Sequence, residues 1–112
     1  MSIRKMHAAG NGVIATSLTV PVGDTYRVIS VSCKFPIAPT TSENFTLTIN
    51  ANAGAQYDHL VYTVDPAAGA TTDILWQPDA ELFIVGGDAI DAAYAGTDGH
   101  GWGIEWTMKA VR

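Results

Sequence analysis

Apolar and polar residues alternate with a period of two along most of this chain, most cleanly over residues 44–51. There Phe45, Leu47, Ile49 and Ala51 fall on one side and Asn44, Thr46, Thr48 and Asn50 on the other, the signature of a half-buried strand. The same period predicts strands over residues 13–22, with Leu18, Val20 and Val22 on one face, and over 59–65, with Leu60, Tyr62 and Val64 inward. Over residues 26–35 strict alternation puts Arg27, Ile29, Val31, Cys33 and Phe35 together and leaves Tyr26, Val28, Ser30, Ser32 and Lys34 on the opposite face. Shorter runs at 71–76 and 102–110 set Ile74 with Trp76, and Trp102 with Ile104, Trp106, Met108 and Ala110. The stretch ELFIVGGDAIDAAY at 81–94 supplies two more strands. Residues 82–85 are apolar at every position, which predicts cover on both faces, and Ile90, Ala92 and Tyr94 alternate with Asp91 and Ala93. Gly86-Gly87-Asp88 between them predicts a tight reversal that pairs the two runs.

Eight strands result, with all five prolines at run ends or in loops, and Asp98-Gly99 predicts a closing hairpin. The expectation is an all-β, antiparallel, eight-stranded β-sandwich; eight strands in one unit favour a jelly roll, and the alternative, an immunoglobulin-like sandwich, lacks its supporting Cys and Trp spacing. Phe45, Leu47, Ile49, Ile90, Tyr94, Ile104 and Trp106 are its expected interior. Residues 1–12, MSIRKMHAAGNG, read as a flexible N-terminal arm rather than a strand, uncoupled by Gly10-Asn11-Gly12 from a single domain at 13–112.

Composition changes this picture in three ways. Charged residues make up 15% of the 112, against about 25% in a typical soluble domain, so something other than water is expected to cover part of the surface. With one sheet face covered in a lone sandwich, Phe83, Val85, Val28 and Val61 become the expected oligomer interface. The net charge of -5 argues against nucleic acid, and removing the +2 of the first twelve residues leaves -7 on the rest, so Arg4, Lys5 and His7 are expected to seek an acidic surface. No run of 18 apolar residues exists, and the N-terminus lacks the apolar stretch of a signal peptide, so neither a membrane span nor export by that route is expected.

Chemistry is sparse. Cys33, the only cysteine, alternates with Ile29 and Val31 and reads as a small buried hydrophobe. His7, His59 and His100 lack the spacing of a zinc set, and Asp88, Asp91 and Asp98 lack that of a calcium loop. No nucleophile elbow, phosphate loop or dinucleotide fingerprint occurs, so neither an enzyme nor a cofactor is expected.

The leading segment, the phrase LFIVGGDAID and the closing stretch AYAGTDGHGWGIEWTM resemble the small jelly-roll decoration, or cement, proteins of tailed bacteriophages. That resemblance implies a non-enzymatic virion protein made in the host cytoplasm, a homotrimer on the capsid surface that contacts the major capsid protein through terminal segments. The alternative is a carbohydrate-binding, receptor-recognising domain of a phage tail or fibre tip, for which Trp76, Trp102 and His100 would form the platform. A hydrolase would instead need a histidine beside an acid in a cleft.

Overall fold

A computed structural model describes residues 3–111 and contains nine strands in two antiparallel sheets. Sheet I runs β1 (Ile3–Asn11), β9 (Gly101–Ala110), β3 (Thr25–Lys34) and β6 (Asp73–Trp76), with β7 (Phe83–Val85) also on β3. Sheet II runs β2 (Ile14–Thr19), β8 (Ala89–Tyr94), β4 (Phe45–Asn50) and β5 (His59–Val64). Because β6 lies along Val31 to Lys34 and β7 along Thr25 to Arg27, the two form one interrupted edge. Counted so, the first row pairs with the last (β1 with β9), the second with the seventh (β2 with β8), the third with the sixth and the fourth with the fifth. That is a long hairpin folded over itself, the jelly roll. The described helical segments are two 3₁₀ turns, Ala55–Tyr57 and Pro66–Gly69, and no helix is long and apolar enough to cross a membrane.

All seven expected interior residues are buried, with Phe45, Leu47 and Ile90 wholly enclosed between the sheets beside Ile14, Leu18 and Met108. The eight predicted strands are present as β2 to β9. The eight rows are nonetheless reached differently, because the expected arm is a strand and two expected strands share a row.

The arm is the largest correction. Residues Ile3 to Asn11 pair without interruption with β9. As an edge strand, β1 has one neighbour and is exposed along most of its length, so it needs no apolar alternation and shows none. The expected glycine hinge is locked. The Trp102 indole lies on Gly10, where a Cβ would come within 3.0 Å of it, and Gly12 N–H donates to the His100 carbonyl at 3.0 Å.

Neither expected hairpin exists. The Gly86-Gly87-Asp88 turn carries the chain from β7 in sheet I to β8 in sheet II, and the loop holding Asp98-Gly99 carries it back to β9. Both segments do turn tightly: Asp88 N–H donates to Val85 and Gly99 N–H to Gly96. Local turn chemistry thus reports that the chain reverses, while the sheet it enters is decided by packing.

Two bulges break the alternation. On β3 the pairing with β9 slips between Val28 and Ser30, so Val28 turns into the core at 3% exposure and Ile29 is the extra residue. On β5 the slip opposite Leu47 and Thr48 makes Val61 the extra residue, leaving it half-buried against the core and Leu60 outside. Val28 and Val61 are therefore not outward-facing interface residues.

Candidate interaction surface

Partners across an antiparallel ladder point to the same face, so the register lays out the outer face of sheet I row by row. Ile3, Lys109, Arg27 and Phe83 form one row; Lys5, Thr107 and Ser30 the next; then His7, Glu105, Ser32 and Leu75; then Ala9, Gly103, Lys34 and Asp73. Gly103 carries no side chain, so the last of these rows sinks into a shallow groove of about 390 Å³ between His7 and Glu105 on one side and Lys34 and Asp73 on the other.

Charge is distributed unequally between the sheets. Of the six basic residues, Arg4 and Lys5 lie on β1, Arg27 and Lys34 on β3 and Lys109 on β9; the sixth, Arg112, is outside the described residues. On the four strands of sheet II the single formal charge is Asp91, which accepts hydrogen bonds from Ser17 at 2.5 Å and Asn50 at 3.2 Å. The other residues on that outer face are uncharged: Ala15, Thr46, Thr48, Thr63 and Ala93 are small, and Leu60, opposite Thr48, is 60% exposed.

The expected interface divides. Phe83 and Val85 are 48% and 52% exposed on the outermost strand, so β7 is covered on one face only, through Ile84. Alternation at 71–76 already carried a further member: Leu75, out of phase with Ile74 and Trp76, is 60% exposed on the same edge and face.

The expected glycan platform does not assemble. Trp102 is buried on β9 against Gly10, Trp76 sits half-buried on β6 opposite Val31, and His100 is part-buried with its Nδ1 enclosed by protein. Strand phase points to a core role for Trp102 and Trp106, in register with Ile104 and Met108, and both are buried.

His7 does meet an acid, with Nε2 2.6 Å from Glu105 Oε2, and Lys5 joins at 3.9 Å. This cluster ties the edge strand β1 to β9 on an exposed face, where such pairs contribute little. Among the described residues no hydroxyl or thiol hydrogen-bonds to His7, and Ser32 lies beyond Glu105 in the row. Burial pushes the Cys33 thiol up to about 12, so it stays protonated inside the core.

Three carboxylates pin the long β3–β4 loop at one end of the sandwich. Asp98 accepts from the Thr41 hydroxyl and from the Thr40 and Thr41 amides at 2.7 and 3.1 Å; these bonds, the Thr41 hydroxyl first, pull its carboxyl down to about 2. Asp65 accepts from the Ser42 hydroxyl and the Ala67 amide and is lowered chiefly by the former. Glu43 accepts from Thr97 N–H and Oγ at 3.1 and 2.6 Å. Tyr94, buried nearby, is raised by its burial and then by the charges of Glu43, Asp98 and Asp65. Every contact here is spent on holding loops, and among the described residues no three His, Cys, Asp or Glu converge as a metal would require.

No protein-family model and no curated protein matches the chain. Among solved structures it is similar to Aeromonas hydrophila PliG, a periplasmic lysozyme inhibitor of g-type lysozyme, at 14% identity over 97% of this chain and 86% of that one, with a TM-score of 0.37. At that level the likeness carries neither activity nor partner across.

Proposed function

We propose that this protein is a non-enzymatic virion structural protein, a capsid decoration protein that oligomerises and binds the major capsid protein on a phage head. The observation that carries the proposal is the outermost edge of sheet I, where Leu75, Phe83 and Val85 are 60%, 48% and 52% exposed side by side. An apolar row of this kind is kept where another protein surface covers it. The outer face of sheet II, with Asp91 the single formal charge on its strands, and the low charge content support the same reading, since both suit a domain packed among proteins.

Light scattering over a dilution series tests the oligomer: a mass near 11.8 kDa throughout ends it. Location is tested by negative-stain imaging of virions carrying a label on this protein. Label in a regular pattern on the head supports decoration, label at the tail tip transfers the protein to the fibre reading, and unlabelled virions refute both.

A further inference from the structure

The two edges of sheet I are unlike, and their differences are complementary. We infer that copies of this chain associate head to tail, with β1 of one molecule lying along the β6–β7 edge of the next. The inference rests on the oligomer reading above and adds which surfaces meet.

Among the described residues β1 pairs with no strand but β9, and β6 and β7 with none but β3, so both edges have an open side, although Val85 at the end of β7 already donates its N–H to Asp88 Oδ2 at 3.1 Å. Their lengths match: β1 has nine residues, and β6 and β7 together span β3 from Thr25 to Lys34. The β1 edge is basic, through Arg4 and Lys5, and apolar, through Ile3 and Met6 at 54% and 51% exposure. The opposite edge is acidic, through Asp73, Asp79 and Glu81, and apolar, through Leu75, Phe83 and Val85. Like edges brought together would oppose charges of one sign, whereas unlike edges oppose cations to anions.

The rows sharpen the match. Through β9 and β3, Ile3 shares its row with Phe83 and Met6 shares its row with Trp76. Lys5 shares its row with Ser30, beside which the β6–β7 edge is interrupted by residues 77–82, the segment holding Asp79 and Glu81. A second copy set against that edge with its rows continued therefore faces Ile3 with Phe83, Met6 with Trp76, and Lys5 with the two acids. Within one molecule Lys5 lies 3.9 Å from Glu105, Glu81 3.7 Å from Arg27 and Asp73 3.6 Å from Lys34, whereas Arg4 and Asp79 make no ion pair among the described residues, so each edge keeps one charge for its neighbour. Such a contact is heterologous, and a tilt at each step closes it into a ring such as a trimer.

Cysteine pairing tests it. Ile3 and Phe83 are exposed, and three strand spacings of about 4.8 Å separate them within one molecule, beyond disulfide reach. Cys33 is buried and does not compete. On mild oxidation the Ile3→Cys/Phe83→Cys double variant should lose its monomer band to dimers and larger species, while each single variant stays monomeric on a non-reducing gel. Arg4→Glu should shift the native mass toward the monomer, and Asp79→Lys added in the same chain should restore it. Disulfide dimers from Ile3→Cys alone would overturn the inference in favour of like-edge pairing. A double variant that stays monomeric on the gel, while wild-type protein scatters as an oligomer, would overturn the inference and leave the oligomer standing. A wild-type mass of one chain removes both.

Discussion

The bulge in β3 makes a prediction that strict alternation contradicts, because the two assign Val28 and Ile29 to opposite faces. Replacing each in turn by Asn removes an apolar side chain, adds an amide and applies the same loss of strand propensity, so the difference between the variants reports environment alone. Val28 is 3% exposed and pairs with Met108, itself wholly buried. Losing its burial costs about 1.5 to 3 kcal/mol. Enclosing an amide oxygen and an amide nitrogen without partners adds roughly 1 to 3 kcal/mol for each. The sum, about 3.5 to 9 kcal/mol, is comparable with the roughly 5 to 15 kcal/mol that holds a domain folded. Ile29 is part-exposed and lines a groove with Arg27, Asp79 and Glu81, so an amide there stays hydrated and the expected cost is about 1 to 2 kcal/mol. Urea titration followed by tryptophan emission suits the measurement, since Trp102 and Trp106 are both buried and redden on unfolding. If Ile29→Asn is the costlier change, the bulge is absent in solution and the alternation read from sequence was correct.

Gly96→Ala should destabilise by at least about 2 kcal/mol in the same titration, because Gly96 has φ of 61° and a Cβ there would lie 1.9 Å from the Gly12 carbonyl oxygen; a change under about 0.5 kcal/mol would show that the β1–β2 and β8–β9 loops do not touch. The Asp98 clamp should be pH-dependent in one direction: its carboxyl is held at about 2 in the fold against an ordinary 3.8, so its stabilisation is present above the ordinary value and lost as pH falls toward about 2. Hydrogen exchange at the Thr40 and Thr41 amides should accelerate over that interval beyond its intrinsic pH dependence, and Asp98→Asn should abolish the excess; the same excess in the variant would assign it to another group.

Fold class was legible because burial between two sheets imposes a period of two, which β2, β4, β8 and β9 carried through and β3 and β5 carried on either side of their bulges. What escaped was whatever burial does not shape. β1 is exposed at residue after residue, so IRKMHAAGN has no reason to alternate, and only the ladder to β9 makes it a strand. The sheet that a strand enters is likewise invisible locally: Gly87, with φ of 91° and a Cβ position 2.6 Å from the Asn52 side chain, is needed for a crossover as much as for a hairpin. Bulges hide for a further reason. Ile29 and Val61 are themselves apolar, so the extra residue leaves the composition of the run unchanged while reversing the phase of everything before it.

The same reasoning explains how much of the candidate surface could be read. Phe83 and Val85 were visible because Ile84 lies between them: an apolar strand three residues long must put two on the face its neighbour does not take, and on an edge row that face is open. Leu75 carried the same signal in a shorter form. The basic edge is legible in sequence as charge but not as conformation, since nothing in IRKMHAAGN marks Arg4 and Lys5 as standing on a fixed strand. Fixing them alters the physics of what they do. A flexible arm loses conformational entropy when it meets a partner, whereas a strand already ordered by β9 meets one with that loss behind it. It also presents its cations at set spacing, in rows continued by β9 and β3 to the far side of the sheet, so that recognition by this edge is a question of register as well as of sign.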